Sequence, residues 1–246
     1  MKKTLKEQIK QDELVTGFDQ AIGWSLAHKD QVRIGIGVAV VVGAALGAIT
    51  YVQGSRKSEA DRAFFDAVAI YQAPIASELA PEADKPAGPV FPSADEKYKA
   101  AAAAFDGVER RYPTQSVAER ARYYAALCRV ELKQYAEAEK SLQAVADRKD
   151  EPRLVPALAR LALADVYRRQ EQVDKAVDAY RSIAGDSALP LPRDFALMQL
   201  GSTLEGAKRL AEAASAYRRL SEEFPASVYA AEARRRVEFL KTAAQG

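Results

Sequence analysis

Four segments of the chain repeat one pattern: a large apolar residue, Ala three later, an aromatic or Leu four after that, and a branched aliphatic three further on. They are Tyr98, Ala101, Phe105 and Val108; Tyr135, Ala138, Leu142 and Val145; Val173, Ala176, Tyr180 and Ile183; and Leu210, Ala213, Tyr217 and Leu220. The alanines stand 37, 38 and 37 residues apart. Spacings of three and four place each set on one face of a helix. Self-similarity at that period is the sign of a helical-pair solenoid, whose units bury their apolar faces only against their neighbours.

Three of the four segments have a partner helix upstream, marked by Ala125 and Ala126, by Leu163, Ala164 and Tyr167, and by Leu200, Gly201 and Leu204. Ala126 precedes Tyr135, Ala164 precedes Val173 and Gly201 precedes Leu210 by nine residues each, so one internal register holds in all three. A small residue where two helices cross lets them approach, and the aromatic nearby fills the gap to the next unit. The first segment lacks a recognisable partner. Residues 80–93, APEADKPAGPVFPS, stand in its place, and their prolines with Gly88 read as a loop. Residues 58–79, with Phe64, Phe65, Val68, Ile70 and Tyr71, are expected to supply the missing helix from beyond that loop.

The small residue, the Ala twelve later, the aromatic four after it, and Pro113 and Pro225 each twelve after their alanines, resemble the tetratricopeptide repeat. The junctions at Tyr112-Pro113 and Phe224-Pro225 are similar to repeats of the BamD and CpoB (YbgF) groups. With the apolar run described next, the layout resembles the YfgM-type ancillary subunit of the SecYEG translocon. That resemblance implies a membrane-anchored repeat protein that binds protein clients or partners.

Ile34 to Val52, IGIGVAVVVGAALGAITYV, carries no charge. As a helix it would be about 28 Å long, close to the roughly 30 Å hydrocarbon core of a bilayer. It reads as a single uncleaved signal-anchor, with Tyr51 at an interface. Six basic residues precede it and Arg56, Lys57 and Arg62 follow, so the positive-inside bias keeps the tail in the cytoplasm and exports the C-terminal part. Gly43 and Gly47 form a GxxxG pair, which offers a surface for helix packing or homo-oligomers. In the tail, Leu5, Ile9, Leu14, Phe18, Ile22 and Leu26 make a helical stripe beside Trp24, read either as an amphipathic helix on the membrane surface or as a loosely ordered segment. The expected divisions are a cytoplasmic tail over 1–33, a transmembrane helix over 34–52, a connecting helix and loop over 53–93, and the solenoid over 94–246.

A formal net charge of +2, from 36 basic and 34 acidic residues, leaves no surplus for nucleic acid. Cys128 is the only cysteine and His28 the only histidine, so neither a disulfide, a thiolate metal cage nor a histidine triad is expected. No GxxxxGKS or GxxxxGKT phosphate loop occurs. The expectation is a binding protein without catalytic residues, cofactor or metal.

The fold expected is all-α: an N-terminal amphipathic helix, one membrane helix, then about four helix pairs and a polar capping helix over 227–244, rich in Arg234, Arg235 and Arg236. In stacked pairs the first helices line the concave side. Register places Tyr123, Leu127, Val130 and Glu131 there, then Leu161, Asp165, Arg168 and Arg169, then Met198, Ser202 and Glu205. Apolar and charged groups mixed along a groove suit an extended peptide or a partner's helix. Two further placements stay open: a scaffold for cell division or outer-membrane assembly, and an adaptor facing the cytoplasm.

Overall fold

The computed structural model describes residues 29–79, 88–148 and 154–243, with side chains placed at 48, 50–79, 88–148 and 154–242. Among these residues the secondary structure is nine α-helices, one short 3-10 turn at Ala76–Glu78 and no strand. The helices are α1 (Lys29–Gln72), α2 (Ala94–Arg111), α3 (Val117–Glu131), α4 (Tyr135–Ala146), α5 (Leu154–Arg169), α6 (Val173–Gly185), α7 (Arg193–Gly206), α8 (Leu210–Glu223) and α9 (Ala230–Ala243). By backbone proximity the chain divides into residues 1–57 and 58–246.

In residues 1–57 the described backbone is helical from Lys29, and Tyr51 and Val52 are exposed. Among the described residues no helix is long and apolar enough to cross a membrane. Most side chains of the expected 34–52 span, including the pair Gly43 and Gly47, lie outside the described set, as does the tail stripe up to Leu26.

In residues 58–246 each helix from α2 onward packs on the next, and α3 also reaches α5. The alanines of the repeat, Ala101, Ala138, Ala176 and Ala213, are all fully buried. The C-terminal part of α1 is the missing partner of α2: Ala60, Phe64 and Ala67 share a core with Ala101, Phe105, Ala121 and Ala125. The result is four helix pairs, with α9 as the ninth helix.

α1 stops at Gln72 and not at Leu79 as expected. Pro74 disfavours helical backbone at Ala73, which ends the helix there. The chain then runs beside residue 91, where the Ala76 N–H donates to the Phe91 carbonyl at 2.8 Å and the Phe91 N–H donates to the Pro74 carbonyl at 3.1 Å. This isolated parallel bridge, Ile75 to Phe91, brackets the proline-rich stretch. α2 begins cleanly because the Ser93 hydroxyl accepts from the Glu96 N–H, with Asp95 and Glu96 at the positive helix end and Arg110 and Arg111 at the negative end.

The turns inside the pairs repeat in backbone as well as in sequence. Lys133, Glu171 and Lys208 are left-handed, with φ of 59°, 58° and 62°. After each, the next N–H reaches back to a carbonyl five residues earlier: Gln134 to Arg129 at 2.8 Å, Gln172 to Tyr167 at 2.9 Å and Arg209 to Leu204 at 2.9 Å. This is the Schellman closure, which satisfies carbonyls that the helix end leaves open. The Pro junctions also match, since Tyr112 and Phe224 adopt φ of −129° and −130° before their prolines.

α9 starts at Ala230, three residues later than expected. Its Ala230, Ala233, Val237 and Leu240 face the core, while Arg234, Arg235, Arg236 and Glu238 are exposed. That is the polar last face a solenoid requires.

Candidate protein-binding groove

The row expected to face a partner comes from the first helix of each pair. α3 is set by its buried Ala121, Ala125 and Cys128, and α5 by its buried Ala157 and Ala164. These fix which side of each helix is left over. On α3, Tyr123 and Leu127 are half-buried and Glu131 is exposed. On α5, Leu161 and Asp165 are half-buried, and Arg168 and Arg169 are exposed. On α7, Met198 and Glu205 are half-buried and Ser202 is exposed.

Val130 does not belong to the row. It is 5% exposed and packs with Ala126, Ala138 and Leu142, joined by Leu163 and Val166 of α5, so the core between α3, α4 and α5 takes up this position. Its register mates Arg168 and Glu205 remain accessible.

The charges along this row are tied to one another. Arg169 donates to Asp165 at 2.7 Å and reaches Glu131 on α3 at 3.5 Å, while Arg168 holds the other oxygen of Asp165. Hydrogen bonds to Asp165 raise the pKa of both guanidinium groups. Further along, Arg236 of α9 donates to Glu205 at 3.2 Å, and the Tyr217 hydroxyl donates to the same carboxylate at 3.0 Å. Burial, with that bond to Glu205 next, pushes the Tyr217 phenol well above its ordinary pKa. Such half-exposed pairs add little stability each, with a median of about 0–1 kcal/mol, so their larger effect is to fix the side chains of the row in place.

Beside Met198, Ser202 and Glu205 lies an open pocket of about 520 Å³. The α7–α8 turn and α8 supply Lys208, Leu210 and Tyr217, and α9 closes it with Arg236, Phe239 and Leu240. Tyr217 reaches this place because Gly201 has no side chain, for a Cβ there would sit 2.5 Å from Tyr217 Cε1. The expected row thus holds α7 residues that the fold gathers with α9, while Tyr123 and Leu127 belong to the other end.

At that other end stands a set of aromatic rings. Tyr71 lies 5.6 Å from Tyr124 and 6.0 Å from Tyr98 between ring centroids, and Tyr123 is edge-on to Tyr124 at 5.4 Å. Burial lifts the Tyr71 and Tyr123 phenols to about 12. Cys128 is fully enclosed, and burial raises its thiol to about 12 as well, so it packs as a small apolar group. Among the described residues no cluster of His, Cys, Asp and Glu could hold a metal ion.

Phe239 and Lys208 were missed by register reasoning, although the signal was present. Leu127, Asp165 and Ser202 are 38 and 37 residues apart, and the next step of 37 lands on Phe239. Phe239 follows three arginines in a helix whose outer face is otherwise polar, which hides that signal.

The family model described as Tetratricopeptide repeat-like domain matches residues 28–222. The match takes in the apolar run and ends within α8, ahead of the capping helix. A solved structure under the name MamA AMB-1 is similar at 17% identity, with a TM-score of 0.45, over 61% of this chain and 75% of that one. No curated protein matches the sequence.

Proposed function

This chain belongs to the tetratricopeptide repeat-like family, and on that premise we propose that it is a scaffold without catalytic activity, tethered by residues 34–52 to a bacterial inner membrane, whose exported repeats bind protein clients or assembly partners near the secretion translocon. The observation that carries the binding part is the row from Tyr123 through Asp165 to Glu205. It combines accessible apolar and charged side chains at one register of successive helices, the arrangement that suits an extended polypeptide. Repeats of this kind supply a contact surface, and specificity comes from the side chains placed on it. The tether rests on the uncharged run, and the exported placement rests on the excess of basic residues before it.

The test is photo-crosslinking in membranes from a benzophenone amino acid placed at Leu127 or at Ser202, with Lys140 on α4 as the control position. The expected result is envelope or secreted proteins captured from the two groove positions and not from Lys140. Recovery of cytoplasmic proteins alone would move the repeats to the other side of the membrane. Equal capture from all three positions would remove the groove. Partners confined to the division site would favour the division-scaffold reading over the translocon one.

A further inference from the structure

We infer that the pocket between α7, α8 and α9 receives a large apolar side chain from an extended segment of a partner protein, with an acidic residue of that segment beside it at Lys208. The inference rests on the groove reading above and gives it a ligand class.

Three observations converge. First, capping does not explain Phe239. A last helix needs a polar outer face, which Arg234, Arg235 and Glu238 supply, yet Phe239 is 59% exposed. Its place in the repeat is that of Leu127, Asp165 and Ser202, the row that faces a partner. Second, this phenyl ring lines the 520 Å³ cavity together with Met198, Leu210 and Leu240, a size within the range of about 300–1,000 Å³ typical of ligand pockets. Among the described residues, the other large exposed apolar ones, Tyr51, Val52, Phe65, Val90, Leu154 and Val228, line no part of it.

Third, the charges leave one sign over. Glu205 is engaged by the Tyr217 hydroxyl and by Arg236, and Arg236 also donates to Glu232 at 3.1 Å. Arg235 also donates to Glu232, so two guanidinium groups face two carboxylates and these charges balance. Lys208, on the rim, has no side-chain partner among the described residues. A segment entering here meets the apolar Met198, Leu210, Phe239 and Leu240 and one unmatched cation. A basic neighbour of the inserted side chain is repelled, and an acidic one is drawn in. A buried apolar anchor with polar contacts at the rim is the usual anatomy of a tight spot in an interface.

The experiment uses the full chain in lipid nanodiscs, panned against a phage library of random dodecapeptides. The best peptide is then synthesised with a fluorescein label and titrated by anisotropy. Enrichment of Phe, Leu, Trp or Met next to Asp or Glu is expected. Phe239→Ser, at an exposed position, should weaken the peptide at least about tenfold, the loss a buried anchor carries. Lys208→Glu should weaken it as well, and a peptide with its acidic residue changed to Lys should regain affinity for that variant. Peptides lacking acidic enrichment, or binding unchanged in both variants, would overturn the inference. So would self-association of the wild type by sedimentation that Phe239→Ser abolishes, which would make a second copy the occupant. Binding that Leu127→Arg removes and Phe239→Ser leaves intact would keep the groove and reject the pocket. Recovery of no peptide would reject both.

Discussion

Where α1, α2 and α3 meet, four aromatic rings fill the crossing; where α7 meets α8, a glycine makes room for one. At the first site Phe105 lies 5.8 Å from Phe64, 6.4 Å from Tyr71 and 5.3 Å from Tyr124, each measured between ring centroids. At the second, Tyr217 sits directly on Gly201, held there by its bond to Glu205. Both sites meet the same demand, a dense core where helices cross, but with opposite tolerance. The ring cluster loses contacts when an atom is removed. The glycine crossing is broken when one is added.

The largest effect should therefore come from shortening Phe105. Phe105→Ala leaves a cavity among three rings and should cost about 3–5 kcal/mol in thermal or denaturant unfolding. Because each unit of a repeat array touches only its neighbours, the damage should stay local. Amide exchange should quicken in residues 58–72 and α2 and remain slow in α7 and α8. A uniform loss of protection would mean that the array unfolds as one body, and the contrast between its ends would then carry no energetic meaning.

Next comes Gly201→Ala, with an expected cost of about 1–3 kcal/mol from overpacking. Tyr217 is only 1% exposed, and moving its ring off Gly201 would give up the hydroxyl's bond to Glu205. The second pair uses Ala126 with Leu142 at the same two positions. Adding Tyr217→Leu to Gly201→Ala should therefore recover most of the loss by circular dichroism melting. If the double variant melts no higher than the single one, the ring is not what forbids the alanine.

The smallest change should be a gain. Lys133→Gly, Glu171→Gly and Lys208→Gly each relieve a left-handed non-glycine residue, offset in part by the freedom that glycine adds to the unfolded chain, for a net of about 0.5 kcal/mol. Equal gains in melting temperature at all three would show that the turns are energetically alike from one end to the other. A different response at Lys208 alone would single out the C-terminal pair.

How much of this could be read in advance differs between the two ends for a physical reason. The repeat alanines and their aromatics were legible because burial against a neighbouring pair leaves a periodic trace, and Ala101 through Ala213 all turned inward. The use of residues 58–72 as a repeat helix was legible from an absence, since α2 had no partner nearby in sequence. α1 ends short of Leu79 because Pro74 stops it, although the apolar spacing that marks the helix gives no sign of an end there. Val130 was misplaced because periodicity gives the face of a helix but not how many neighbours that face meets. The pocket was the least visible. It is made by Met198, Lys208, Tyr217 and Phe239 together, and only the fold brings them to one place.

The bridge between Ile75 and Phe91 settles what the stretch between them can become. With both ends held side by side, chain added between them enlarges a loop that is already closed. Each doubling of its length costs only about 0.6 kcal/mol in closure entropy. The spacing of α1 from α2 is thereby freed from the number of residues that join them, so residues inserted between Ile75 and Phe91 should leave the helices on either side in their seats.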